Sequence, residues 1–295
     1  MTIPRYNSMR NQSKPIRYDW VKNMSSEASQ TNKAETQLRA LIDVMAKLRD
    51  PVDGCAWDLQ QDHASIAPYT IEEAYEVQDA IEQNDMEALR DELGDLLLQV
   101  VFQARIGEES GHFDFADIAQ SITDKMIRRH PHIFGDHEYR SAEEQRQAWE
   151  DLKAEERHAK NATRLLDDVA TTLPAMMRAF KLQKRAARVG FDWPDSQQVL
   201  AKVKEELAEV EAELTPDQMD QHRVQDEIGD VLFSVINLAR KLDVDPEEAL
   251  KSTNKKFTNR FNYVEEAIVS NGNNLKNTSL DEMEDLWQRA KGETP

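Results

Sequence analysis

The feature that most constrains this chain is a phrase written twice. "LRDELGDLLLQVVFQA" runs from Leu89 to Ala104, and "RVQDEIGDVLFSVINLA" from Arg223 to Ala239. In each, an acid, an apolar residue, a glycine and a second acid lead into apolar residues at helical spacing. These are Leu93, Leu96, Leu97, Val100, Val101 and Ala104 in one copy, and Ile228, Val231, Leu232, Val235, Ile236 and Ala239 in the other. Residues at i, i+3, i+4 and i+7 share one helix face, so both phrases predict amphipathic helices. A phrase that recurs in this way divides the chain into units before any fold is assigned.

The repetition extends beyond the phrase. "TIEEAYEVQDAI" (Thr70–Ile81) pairs with "KVKEELAEVEAEL" (Lys202–Leu214), aligning Glu72, Glu73 and Glu76 with Glu205, Glu206 and Glu209. The offset there is 133 residues, and it is 135 where Glu92 and Asp95 meet Glu227 and Asp230. Downstream, "DKMIRRH" from Asp124 pairs with "NKKFTNRF" around Lys256 and Arg260, and Trp149/Lys153 with Trp287/Lys291. Asp245-Pro246-Glu247-Glu248 reads as a helix start, with Asp as N-cap and Pro at N1. Only 9 Gly and 10 Pro are present, and no sustained strand alternation appears. The expected fold is all-α: two tandem helical-bundle domains at 33–158 and 173–295, joined by a linker at 159–172. Residues 1–32 are polar and are expected to form a disordered extension. An organelle-targeting arm, or a start at Met24, would be the other readings of that segment.

Charge limits the partners. With 56 Asp+Glu against 37 Lys+Arg, the net charge is −19, the opposite of the basic field that nucleic-acid binding needs. The lone Cys55 excludes an intramolecular disulfide and the usual zinc patterns. No apolar run is long enough to span a membrane. A cytoplasmic protein is expected, with neither nucleic acid nor membrane as partner.

The acids carry the chemistry. Each copy offers E-x-x-E on one helix (Glu73/Glu76; Glu206/Glu209) and E-x-x-D on the next (Glu92/Asp95; Glu227/Asp230). Residues three apart are neighbours on a helix. Antiparallel packing of the two helices brings four carboxylates together, and like charges so close need cations. Oxygen ligands without His or Cys suit Mg²⁺, with Mn²⁺ as a substitute. A ferritin-like di-iron site needs Glu-x-x-His, which neither copy has.

Simpler readings exist for single residues. Thr70-x-x-Glu73 could be a capping box, yet Val203 stands where the second copy would need the cap. A solvated acidic face would explain one E-x-x-E pair, but Gly94 and Gly229 lie between the paired acids of both copies. Each costs roughly 1 kcal/mol in a helix interior, so something is expected to approach the backbone there. Leu98, Phe102 and Phe233 lie off the main apolar stripe and point to a second packing surface, hence a homodimer.

Lys256 and Arg260, four apart, would place two cations on one helix face, suited to a metal-bridged polyphosphate. Trp287 and Lys291 would offer a stacking surface beside a cation, or else a core Trp with a solvated Lys. His130-Pro131-His132 reads as a helix stop.

These residues resemble the MazG nucleoside triphosphate pyrophosphohydrolase family, from about Lys33 to Lys291. "RDPVDGCAWD" (Arg49–Asp58), "APYTIEEAYEV" (Ala67–Val77), "DELGDLL" (Asp91–Leu97), "RRHPHIF" (Arg128–Phe134), "VGFDW" (Val189–Trp193) and "DEIGDVLF" (Asp226–Phe233) carry the resemblance. One departure is Ala56, where the family usually has Pro. The resemblance implies hydrolysis of an NTP or dNTP to the monophosphate and pyrophosphate. It also implies that Glu206, Glu209, Glu227 and Asp230 hold Mg²⁺, and that Lys202, Arg223, Lys256, Arg260, Trp287 and Lys291 contact the nucleotide. Arg223 stands where the family commonly has Lys, with the charge kept. Metal-activated water would attack the α-phosphorus, with Glu205 orienting or deprotonating it. The first copy keeps its four acids and Lys125, Arg129, Trp149 and Lys153, but has Tyr69 and Ala88 where the second has Lys202 and Arg223. The C-terminal copy is therefore the expected catalyst. The competing expectation is a nucleotide-sensing helical module without turnover.

Overall fold

The computed structural model describes residues 28–135, 141, 143–145, 148–149, 152, 164–214 and 219–293. The N-terminal extension up to residue 27, Lys153 and the linker residues 159–163 lie outside them. Every element assigned among the described residues is helical. None of those helices is long and apolar enough to cross a membrane. Contacts divide the chain into two compact units, Met1–Trp149 and Glu150–Pro295.

The first unit contains α1 (Ala28–Leu48), α2 (Ala56–Leu59), α3 (His63–Gln83), α4 (Met86–Glu109), α5 (Phe115–Arg129) and α6 (Pro131–Phe134). The pairing of α3 with α4 dominates it, and α1 packs on α4. Asp62 caps α3 and forms a capping box with Ser65, so the helix begins two turns before Thr70. Glu73 therefore stands inside the helix, and capping does not account for it. A left-handed Asn84 ends α3 at φ 54°, and Asp85 immediately caps α4, which folds the two helices into a hairpin.

Met45, Ile66, Val101, Phe102 and Ile106 form the core of this unit, with Leu41, Leu98 and Phe115 packed against it. Leu98 and Phe102, read as a second surface, are thus covered within their own unit. The residues left open are Leu93 and Leu97 of the main stripe, 49% and 39% exposed. The reason is that α4 serves two neighbours at once, α3 on one side and α1 on another.

The second unit contains α7 (Ala175–Ala187), α8 (Ser196–Glu213), α9 (Gln221–Lys241), α10 (Pro246–Ser270), a 3₁₀ turn (Leu275–Asn277) and α11 (Leu280–Glu293). The pairing of α8 with α9 repeats that of α3 with α4; α7 packs on α9, and α11 on α10. Asp195, Asp220 and Asp245 cap α8, α9 and α10 through their side chains, and Pro246 occupies the first turn of α10 as expected. Arg164 to Val169, the described start of the expected linker segment, form turns that pack on this unit. Val169 is buried and Asp168 pairs with Arg185 of α7. Residues 188–195 connect α7 to α8, and Asp192 in this loop is gripped by Arg240 and by Lys241 (2.9 Å) from the end of α9.

Candidate active site

On α8, Lys202, Glu206, Glu209 and Glu213 follow one another at steps of four, three and four, so they line one helical stripe. On α9, Arg223, Glu227 and Asp230 do the same. The antiparallel hairpin sets the stripes face to face, and Arg223 accordingly pairs with Glu213 beside the connection. In the middle, oxygens of Glu206, Glu209 and Glu227 all lie within 4.8 Å of one another. Asp230 joins Glu206 in lining an adjacent cavity. Glu206 is buried at 6% exposure and is reached by Lys202 Nζ at 2.9 Å. The same Nζ also lies 2.9 Å from Glu205, which is otherwise solvent-facing.

The electrostatics show acids forced together. Glu209 is pushed above its ordinary value, first by its hydrogen bond to Glu206, then by burial and the Glu206 and Glu227 charges. Lys202 is raised by its bonds to Glu206 and Glu205. Oxygen donors this close, with mutual repulsion as a cause of their shift, fit a hard divalent cation.

The first copy builds the same cage differently. Oxygens of Glu73, Glu92 and Asp95 lie within 4.8 Å of one another, and Glu76 is within hydrogen-bonding reach of Glu73. At the ends of the seam the charges are gone. Tyr69 replaces Lys202, while Ala80 and Ala88 stand where Glu213 and Arg223 form their ion pair. Glu73 meets the Gln99 amide at 3.5 Å instead of an ammonium. Burial, then the charges of Asp95 and Glu76, pushes Glu73 up; burial, then Glu76, does the same to Glu92.

A carboxyl raised on folding contributes stability below its unfolded value and loses it as pH rises through the folded value. Without metal, the first cage should therefore weaken the fold as pH climbs from the ordinary Glu range toward neutrality. Glu73→Gln is expected to raise Tm in EDTA at pH 7, to leave it nearly unchanged at pH 4, and to remove most of the Mg²⁺-induced rise. Thermal scans at the two pH values check this.

The remaining candidate residues form a separate group. Trp287 packs on Phe257 at 5.2 Å, and Lys291 Nζ donates to Gln288 at 3.3 Å. Among the described residues, Lys256 and Arg260 form no ion pair, and Arg260 Nε is buried without a partner. No hydrogen bond or ion pair there links this group to the cage.

Gly94 and Gly229 lie beside the cages, and a Cβ added to either would meet nothing within 4 Å. At Gly107, by contrast, a Cβ would sit 2.5 Å from the Phe113 ring. Nothing among the described residues therefore requires a glycine at either position. Gly229→Ala is expected to stabilise the unfolding transition of this unit by about 1 kcal/mol. It should at the same time lower turnover or self-association, which calorimetry and kinetics on one preparation would separate.

Sequence reasoning missed a cavity of about 550 Å³ beside the second cage. Glu206, Asp230 and Lys202 line it together with Gln183 of α7, Phe191 and Trp193 of the 188–195 loop, and Asn237 of α9. "VGFDW" was its only trace in the sequence. Its walls come from five segments, the turns around Leu166, α7, the 188–195 loop, α8 and α9, that no local period connects.

Comparison with known proteins agrees with this geometry. The MazG nucleotide pyrophosphohydrolase domain matches residues 61–134 and again 195–265, which contain the two cages. A nucleoside triphosphate pyrophosphohydrolase of Escherichia coli (strain K12) is 48% identical over 255 residues, covering 86% of this chain and 97% of that protein. The nucleoside triphosphate pyrophosphohydrolase/pyrophosphatase MazG of Thermotoga maritima is 41% identical over 252 residues, covering 85% and 94%. With the helical repeat and paired carboxylates already in place, the chain belongs to the MazG family of nucleoside triphosphate pyrophosphohydrolases.

Proposed function

We propose that the chain hydrolyses nucleoside triphosphates to the monophosphate and pyrophosphate, using Mg²⁺ held by Glu206, Glu209, Glu227 and Asp230. The observation that carries this reading is the convergence of three buried-to-exposed carboxylates within 4.8 Å beside a cavity large enough for a nucleoside. When bound, the metal neutralises phosphate charge and makes a coordinated water more acidic. The chain's own residues do the rest. Glu206 is held in place by Lys202, so the cage is partly pre-organised before substrate arrives. Lys202 would exchange Glu205 for a phosphate oxygen, freeing Glu205 to orient or deprotonate the attacking water. Attack on the α-phosphorus in line with the departing oxygen releases pyrophosphate. Lys256 and Arg260, which form no ion pair among the described residues, would meet phosphate oxygens, as would Arg223 on release from Glu213. Lys291 would add a cation to that group, and Trp287, which packs on Phe257, would offer a stacking face to the nucleotide.

The apolar residues Leu93, Leu97, Ile228 and Leu232 are exposed on both carboxylate helices. A second copy of the chain is the proposed cover, giving a homodimer whose mass light scattering would report. Cytoplasmic placement is proposed with it.

Pyrophosphate release from a panel of NTPs and dNTPs, with Mg²⁺, with Mn²⁺ and with EDTA, tests the reading. Metal-dependent turnover supports it. Tight nucleotide binding without turnover would instead make the chain a nucleotide sensor.

A further inference from the structure

Resting on the nucleotide-hydrolysis reading, we propose that Asp192 is a positioning residue for the substrate. Through Arg240 and Lys241 it fixes the 188–195 loop as one wall of the cavity beside the second cage.

The loop has two fixed ends and a span between them. At its start Gly190 takes a left-handed turn at φ 83°, and the Phe191 N–H closes the end of α7 on the Ala186 carbonyl at 3.2 Å. At its end the Asp195 side chain caps α8. Between them, residues 192–194 make no backbone-to-backbone hydrogen bond among the described residues. The bonds that hold this span come from side chains, and they converge on Asp192 and the residue after it.

Asp192 Oδ1 accepts from Arg240 Nη2 and from the Trp193 N–H at 2.9 Å, and Oδ2 accepts from Lys241 Nζ at 2.9 Å. The same ammonium donates to the Trp193 carbonyl. Both carboxylate oxygens are thus occupied, so Asp192 acts on a ligand through the loop. Asp192 and Arg240 are 19% and 12% exposed, and charge-assisted bonds at this burial are less screened than surface pairs. Burial pushes the Asp192 carboxyl up, but the bonds from Lys241 and Arg240 outweigh it and hold the group below its ordinary value. The latch is therefore charged at neutral pH.

The latch also joins two walls. Arg240 Nε and Nη2 donate to Asn237 Oδ1 at 3.0 and 2.8 Å, and Asn237 lines the cavity from α9. Phe191 and Trp193 line it from the loop, and Glu206 and Asp230 from the cage side. Phe191 is 82% exposed, so its ring gains little from the fold and most from a ligand that covers it. A phosphate chain at the cage meets metal and charged side chains wherever the loop sits. The nucleoside part, extending into the cavity, depends on the wall being in place. Asp192 should therefore set affinity for the whole nucleotide and leave the chemistry at the cage alone.

Asp192→Asn keeps the size of the side chain and removes its charge. It is expected to raise KM for a nucleoside triphosphate about tenfold, while kcat changes less than about twofold. Inhibition by tripolyphosphate with Mg²⁺, a probe without a nucleoside, should stay within about twofold of wild type. Lys241→Met should raise KM about threefold, and the double variant should be no worse than Asp192→Asn alone, as partners in one network behave. Asp192→Glu, which keeps the charge, should recover part of the loss. The proposal is overturned if Asp192→Asn leaves KM unchanged, if it lowers kcat instead, or if tripolyphosphate inhibition weakens in parallel, the mark of a loosened unit. Were Asp192→Asn not to fold, Lys241→Met decides by the same comparison. Should wild type release no pyrophosphate from any triphosphate, the hydrolysis reading fails by itself. Calorimetric binding of ATP and of tripolyphosphate then decides the role of Asp192: a selective loss of ATP binding in Asp192→Asn supports it, and an equal loss or none overturns it.

Discussion

Glu206→Ala is expected to lower pyrophosphate release by at least about a hundredfold, while Glu73→Ala leaves most of it. Losing a group that only orients a metal ligand costs about 10–100-fold, and losing the ligand itself should cost no less. Glu206 is the buried centre of its cage, 6% exposed and clamped by Lys202. Its removal would also strand that ammonium among fewer acids. The first cage has oxygens of three acids equally close, but its seam ends in Tyr69, Ala80 and Ala88. A polyphosphate there would face carboxylates without the flanking cations. The measurement is initial rate at saturating Mg²⁺ for both variants, with circular dichroism to confirm folding. Equal losses in the two would refute the division of labour.

Arg49→Ala is expected to destabilise the first unit by about 2–4 kcal/mol, more than any exposed substitution in it. Arg49 is 7% exposed and makes bonds in three directions. Its Nε and Nη2 reach Glu109 at 3.1 and 2.7 Å, and Nη1 reaches the carbonyls of Asp58 and Gln61 at 2.5 and 3.0 Å. Its guanidinium also lies 5.4 Å from the Phe102 ring centroid. Truncation leaves Glu109 without its main partner and two loop carbonyls without a donor. Breaking a buried pair costs about 3–5 kcal/mol, reduced here because water reaches Glu109.

The Arg49 bond holds Glu109 below its ordinary value, so this stability is present above that value and lost as pH falls through the depressed one. The variant should therefore show a smaller acid-side loss. Urea titration following Trp57, whose ring lies 6.5 Å from that of Phe102, reports the unit directly. Arg39→Ala, which removes an exposed i,i+4 pair with Asp43, is the control and should stay within about 0.5 kcal/mol.

Much of this was legible before any coordinates. The Asp245-Pro246 start, the helical stripes and the paired acids, three of which come within 4.8 Å in each copy, depend on spacing within one or two turns, and local spacing is what a sequence displays. One reading changed on folding, and one was completed by it. Leu98 and Phe102 looked like an outer surface because α1, which covers them, lies about fifty residues away in the chain. The capping role set aside for Thr70 belongs to Asp62, which the sequence did not mark because a stretch with a weak period and an internal Pro68 follows it.

The sequence by itself determined the helical repeat, the family, the carboxylate sets and which copy keeps its cations, since each is a matter of residue type at fixed separation. Only the tertiary structure decided that Lys202 clamps Glu206, that Arg223 spends its charge on Glu213, and that Gln183 and Asp192 line one cavity. Those facts need α7, the 188–195 loop, α8 and α9 brought together. Packing between segments remote in the chain leaves no periodic mark on any one of them.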